Sequence, residues 1–363
     1  MGGLLEKPDR KKTGGKNCGN GVSCGVSSMQ GWRERMEDTL VAKISVNDDL
    51  KEFSYFAVFD GHAGGFAASF CEKTLMDVIV NHRDFKDNPS VVIEQGFVRL
   101  DNDLRLASTD RSGSTAVLSF INDSMIVVAN CGDSRLVLCR NSQPFFATRD
   151  HTPLDPSEQA RIKDAGGTVT MGRVNGNLAV SRAIGDFSYK SDGKNIVSNI
   201  PDIFVLPRHP DDQFMVLACD GIWNVMSNEE ICFYIYDRLL VMDDLEAIAN
   251  DVVETCLYKG SRDNMSIIIV KFQNALTPQH EAIMADQKLD SVIYERMKNI
   301  ILRYPNNNYY TLLQELKFIH PFEGLPRGGD FESKRLLMDK IYQELKTKPE
   351  DLETKILLDK IVL

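Results

Sequence analysis

Two stretches of the chain share one arrangement. Phe56-Ala57-Val58-Phe59-Asp60-Gly61 and Val216-Leu217-Ala218-Cys219-Asp220-Gly221 each run four apolar residues into Asp-Gly. An apolar run of that length predicts a buried strand, and glycine permits a sharp turn. Each aspartate is thereby delivered to the rim of a core on a rigid support. Either alone reads more readily as a plain turn. The set is larger, however. Asp133 lies in Asn130-Cys131-Gly132-Asp133, Asp263 precedes the apolar run Met265–Phe272, and Glu37 and Asp38 precede Thr39. Carboxylates converging from strand ends repel one another unless a cation joins them. Oxygen ligands without a histidine or cysteine cluster favour magnesium or manganese over zinc. Arg33, four residues before Glu37, is suited to gripping a phosphate, and His62, two after Asp60, can supply a proton near neutral pH.

The elements that would position these groups are short. Thr39–Val46, Phe53–Phe59, Thr115–Ile121, Met125–Ala129, Leu136–Cys139, Phe214–Cys219 and Met265–Phe272 read as strands. The links Asn122-Asp123 and Gly132-Asp133 are hairpin-short, which predicts antiparallel pairing. Ile93, Phe97, Leu100 and Leu104 recur at helical spacing, as do Leu245, Ile248, Ala249, Val252 and Cys256, with Gly260 placed to stop the second helix. Ser227 and Glu230 make a capping box ahead of Ile231–Leu240. Residues 148–200 are glycine-rich and loose, a texture that points to function. Beyond Pro278, Leu289, Ile293 and Ile300 form one helical stripe and Leu337, Ile341 and Leu345 another. The expected division is a flexible basic arm over residues 1–21, a catalytic domain over 22–275 and an all-helical extension over 276–363.

Composition excludes several classes. The 363 residues hold 42 Lys+Arg against 52 Asp+Glu, a net charge of −10, which argues against nucleic acid as a partner. No apolar run approaches the roughly 18 residues of a membrane span, and residues 1–10 lack the apolar core of a signal peptide. The eight cysteines have no C-x-x-C spacing, and most sit in apolar runs as core residues. A reduced cytoplasmic or nuclear setting is expected. Gly2, followed by the basic run Lys7–Lys16, is a lipidation candidate: myristate plus polybasic attachment would give peripheral membrane contact, although Glu6 replaces the usual hydroxyl residue.

Seven segments in order resemble the metal-dependent serine/threonine protein phosphatases of type 2C. They are Arg33 with Met36-Glu37-Asp38, Phe59-Asp60-Gly61-His62-Ala63-Gly64, Ser112-Gly113-Ser114-Thr115-Ala116, Asn130-Cys131-Gly132-Asp133-Ser134-Arg135, Leu178 through Asp186, Cys219-Asp220-Gly221-Ile222-Trp223 and Arg262-Asp263-Asn264-Met265-Ser266. The helical tail resembles that of the alpha/beta-type animal members. The resemblance implies an α+β fold, two stacked antiparallel β-sheets flanked by α-helices, with metals at one edge. It implies two Mg or Mn ions, bridged by Asp60 and further held by the Gly61 carbonyl, Asp220 and Asp263. Glu37, Asp38, Asp133 and Asn264 would stand behind these ligands or serve a third, weaker ion. At Asn224 the family often has aspartate, so affinity for that third ion is in question. Arg33 would bind phosphate and His62 would act as general acid, while a hydroxide bridging the ions attacks phosphorus. Phosphorylated proteins such as protein kinases are the implied partners of a monomeric enzyme.

Three alternatives share part of this pattern. A catalytically inactive phosphoprotein-binding module would lack ligand positions, and Asp60, Asp220 and Asp263 are all present. Another metal-dependent phosphoester hydrolase fits the chemistry alone. A cysteine-nucleophile phosphatase is suggested by the spacing of Cys232 with Arg238 and Cys256 with Arg262, but both cysteines fall in helical patterns.

Overall fold

A strand that is apolar on both faces needs cover on both sides. Ser54–Phe59 and Ala116–Ile121 are buried at every position. The computed structural model, which describes residues 3–191, 194–318 and 321–347, supplies that cover as four layers. In chain order the sandwich strands are β1 (Leu4–Gly19), β2 (Val22–Arg33), β3 (Thr39–Lys43), β4 (Ser54–Phe59), β5 (Ala116–Ile121), β6 (Met125–Cys131), β7 (Arg135–Arg140), β8 (Gln143–Ala147), β9 (Asp202–Pro207), β10 (Asp212–Ala218) and β11 (Met265–Phe272). One sheet runs β1-β2-β11-β10-β7-β8 and the other β9-β6-β5-β4-β3. Their pairings are antiparallel throughout.

Side-chain alternation sorts the core into layers. Phe56 and Val58 of β4 face the other sheet, packing with Val117, Leu217 and Ile268. Tyr55, Ala57 and Phe59 point the opposite way, against α1 (Phe66–Val80) and α2 (Pro89–Ala107). The first sheet is covered by α5 (Asn228–Leu239) and α6 (Leu245–Lys259). The capping box at Ser227 and Glu230 forms, and Gly260 ends α6 in the left-handed region at φ 100°. Between β8 and β9 lies α3 (Pro156–Asp164) with short ribbons around Ile162, Val174 and Val197. A single turn, α4 (Asp220–Trp223), follows β10.

The α+β expectation holds, including the helical C-terminal region. α7 (His280–Arg303), α8 (Tyr309–Phe318) and α9 (Arg335–Thr347) share their own apolar cluster, including Ile293, Leu316 and Ile341. Polar ties join this region to α5: Arg238 to Asp286 of α7 at 3.2 Å, and Arg327, from the loop between α8 and α9, to Asp237 at 2.6 Å.

Two expectations are corrected. The flexible arm over residues 1–21 is instead an edge strand from Leu4, paired with β2. Its basic residues find acids on α6 and at its N-cap: Arg10 and Lys12 meet Glu254, and Lys16 meets Asp244 at 2.7 Å. The hairpin turns at Asn20-Gly21, both at positive φ, which is the I′ geometry that this dipeptide favours. The Gly132-Asp133 link is not a hairpin either. β6 and β7 belong to different sheets, so the link crosses between them and sets Asp133 at their shared edge. Among the described residues no helix is long and apolar enough to cross a membrane. The Gly2 candidate lies outside the described residues.

Candidate metal centre

The strand ends meet in one cleft of about 590 Å³, lined by Asp60, Asp133, Asp220, Asp263, Glu37, Arg33 and His62 among others. β4 delivers Asp60, β10 delivers Asp220 at the start of α4, the inter-sheet crossing delivers Asp133, and Asp263 precedes β11. The glycines after Asp60 and Asp220 serve close approach rather than an unusual turn. A Cβ on Gly61 would lie 2.4 Å from the Glu37 carbonyl oxygen, and one on Gly221 would lie 1.9 Å from that of Asn264. The two acid-bearing segments can therefore press against neighbouring backbone.

Asp38 sits beneath the cleft at 7% exposure. A carboxylate oxygen of Asp38, one of Asp60 and the Cys219 sulfur all lie within 4.8 Å of one another. Burial, with the charge of neighbouring acids, raises the pKa of Asp38 to about 7, of Asp133 to about 8 and of Asp220 to about 6, and lifts Asp60 well above the usual range. Neutral donors do little against this. The Ser266 hydroxyl donates to Asp38 at 2.7 Å and the Asn224 amide to Asp220 at 3.1 Å. The Asp60 carboxyl, which also helps hold the Asp220 pKa down, is a second acid rather than a base. Such a donor set fits hard divalent cations, which prefer oxygen. Cys219 is less suited. Burial pushes its thiol pKa up, the Ser266 N–H donates to its sulfur at 3.1 Å, and its S–H donates to the Asn264 carbonyl at 3.4 Å.

The remaining predicted residues are placed as follows. Arg33, at the end of β2, is half-buried and donates to Asp263. Asn264 clamps the preceding loop: its Oδ1 accepts the Glu37 N–H at 2.9 Å, and its Nδ2 donates to the carbonyls of Gln30 and Arg35 at 2.9 and 3.0 Å. His62 lines the cleft with Nε2 2.6 Å from Asp186 Oδ2. Burial opposes protonation of this ring, but Asp186 outweighs it and the pKa is raised. Asp186 was legible only as part of a motif; no spacing in the sequence links it to His62. Cys232 and Cys256 are fully buried within α5 and α6, which is no place for a phosphate-binding loop.

Comparison with known proteins gives the class. The profile of the Protein phosphatase 2C family matches residues 22–265, and that of the Protein serine/threonine phosphatase 2C C-terminal domain matches residues 266–343. The chain is 43% identical to Protein phosphatase 1B of Rattus norvegicus over 370 residues, covering 95% of each. It is 44% identical to Protein phosphatase 1A of Bos taurus over 366 residues, covering 95% of this chain and 96% of that one. Among solved structures, a C. elegans sex-determining protein superposes with a TM-score of 0.64 at 27% identity, covering 74% of this chain and 68% of that one. A serine-threonine phosphatase 2C from Toxoplasma gondii, at TM-score 0.61 and 21% identity over 72% of this chain and 99% of its own, shares the fold. The chain belongs to the protein phosphatase 2C family. It is a metal-dependent serine/threonine protein phosphatase.

Proposed function

We propose that the cleft holds two Mg or Mn ions, ligated by Asp60, the Gly61 carbonyl, Asp220 and Asp263. The observation that carries this is the convergence of Asp38, Asp60, Asp133 and Asp220 with raised pKa values and no cationic side chain enough to offset them. When bound, the ions neutralise phosphate charge and acidify water for attack on phosphorus. Glu37 and Asp38 orient that water from behind the ligands, while Asn264 fixes the loop that carries them. Asp133 serves a third, weaker ion, with Asn224 in place of a charged partner.

Arg33 grips the phosphate oxygens at the cleft mouth, its guanidinium fork steadied by Asp263. His62 hands a proton to the departing serine or threonine oxygen, a step worth on the order of 10²–10⁴-fold. Phosphorylated proteins, protein kinases among them, are the substrates of this reading. The chain acts as a monomer in cytoplasm or nucleus, with peripheral membrane contact where Gly2 carries a myristoyl group.

The test is hydrolysis of a phosphothreonine peptide with and without manganese, beside Asp60→Asn. Activity that needs manganese and is lost in the variant is expected. Activity surviving both chelation and substitution would contradict the reading. For the N-terminus, mass spectrometry of protein from eukaryotic cells is expected to find myristate on Gly2, and a free or acetylated Gly2 ends that assignment.

A further inference from the structure

Asp186 is buried, at 5% exposure, and among the described residues it forms an ion pair with His62 and none with a lysine or arginine. Its backbone is left-handed at φ 50°, a conformation that an aspartate tolerates at a cost. The turn is held from both sides. On one side, α2 supplies Asp101, whose Oδ1 accepts the Gly185 N–H at 2.7 Å and the buried Lys190 Nζ at 2.9 Å. On the other, the Asp186 N–H donates to the Ser112 carbonyl at 3.3 Å. Beside the pair sits Gly113, where a Cβ would lie 2.2 Å from Asp186 Oδ2 and 2.4 Å from His62 Nε2. Thus a strained turn, a buried ion pair and an obligatory glycine all converge on one contact.

We propose that Asp186 is a positioning residue for catalysis: it holds the His62 ring through Nε2 and so presents Nδ1 to the cleft as the atom that carries the transferred proton. The inference rests on the reading of His62 as general acid. As the phosphorus–oxygen ester bond breaks, its electron pair goes to the serine or threonine oxygen. That oxygen takes the Nδ1 proton, and the ring is left neutral with Nε2–H still donated to Asp186. The carboxylate stays ionised throughout, and its role is to fix orientation and tautomer.

The experiment compares wild type, His62→Gln, Asp186→Asn and the double variant, loaded with manganese, on a phosphothreonine peptide and on 4-nitrophenyl phosphate. Asparagine keeps the shape and tolerates the left-handed backbone. H62Q is expected to lose about 10²–10⁴-fold in kcat on the peptide and far less on the aryl ester, whose leaving group needs no proton. D186N should follow the same pattern with a loss of at least about 10-fold on the peptide, and the double variant should be no worse than H62Q. Gly113→Ala, which presses on the same pair, should reproduce the D186N pattern. A D186N peptide rate equal to wild type, equal losses on both substrates, or a loss that multiplies with H62Q would overturn the proposal. Equal losses on both substrates for H62Q itself would instead remove the acid role, and the proposal with it. An independent readout is the histidine ¹⁵N spectrum of the metal-free protein. A proton on His62 Nε2 that is lost or exchanges faster in D186N is expected, and an unprotonated Nε2 in wild type contradicts the assignment.

Discussion

Asp38 and Glu158 are both buried carboxylates, at 7% and 2% exposure, yet the protein treats them in opposite ways. Burial alone raises the pKa of either. At Glu158 that push is overcome by Arg182, 2.7 Å from Oε1, and Arg161, 3.0 Å from Oε2, and the pKa falls to about 2. At Asp38 the donor is a serine hydroxyl and the neighbours are other acids, so the pKa climbs to about 7. The Glu158 cluster is complete within the chain and braces the segment between β8 and β9. The strand-end acids have no such cationic partner within reach. In the proposed reading divalent cations supply the compensating charge, and buried acids without an internal partner mark where those ions bind.

The contrast breaks most visibly at Asp60. Asp60→Asn should cut peptide hydrolysis by more than roughly 100-fold, since even residues behind a metal ligand cost 10–100-fold. The same variant should leave the metal-free protein as stable as wild type or more so, because it replaces a buried acid whose ionised form burial and neighbouring acids disfavour. Steady-state kinetics beside a urea melt measures both, and a large loss of metal-free stability would erase the distinction. Glu158→Gln should behave inversely. It removes the carboxylate charge shared by two guanidinium groups and should cost about 3 kcal/mol of folding stability, the low end for a broken buried pair because Arg182 keeps Asp202 at 2.8 Å. Manganese affinity, read by calorimetry, should stay near wild type.

Acid and base sharpen the contrast further. Glu158 is lowered, so its contribution is full above the unfolded value near 4.5 and is lost as pH falls toward about 2. The strand-end acids are raised, so in metal-free protein their contribution is full below the unfolded value near 3.8 and is lost as pH rises through about 6 to 8. Metal-free protein should therefore lose more than about 1 kcal/mol between pH 5 and 8, and manganese should flatten or reverse that slope. Urea midpoints across the range would show it, and parallel curves with and without manganese would count against it. The smallest effect belongs to a site outside both clusters. Gly21→Ala, at φ 67° in the β1–β2 turn, should cost about 1 kcal/mol equally at pH 5 and pH 8. A pH-dependent cost would tie the hairpin to the acids.

Much of this was legible in the sequence because the acids sit directly against the strands that aim them. Four apolar residues before Asp60 and before Asp220 announce both the support and the cargo. Strand Met265–Phe272 is observed with its expected limits. Less was legible where the cause lies far along the chain. The basic residues of β1 look solvated until Glu254 on α6 and Asp244 at its N-cap are brought alongside, although Asn20-Gly21 carried the turn signal. The Gly132-Asp133 link is as short as a hairpin, and only the sheet assignment shows that it crosses between layers. His62 and Asp186 are 124 positions apart, and their meeting depends on the placement of α2 and Gly113. Local pattern specifies which groups stand at the rim; long-range packing decides which of them touch.

Acids from separate strand ends are proposed to form one site requiring divalent cations. Calorimetric titration of metal-free protein with manganese near pH 6.5, in two buffers of different ionisation enthalpy, tests it most directly. Two ions per chain should be taken up with net release of protons, the release falling in Asp60→Asn. Absence of saturable uptake, or uptake with no proton released, would contradict it.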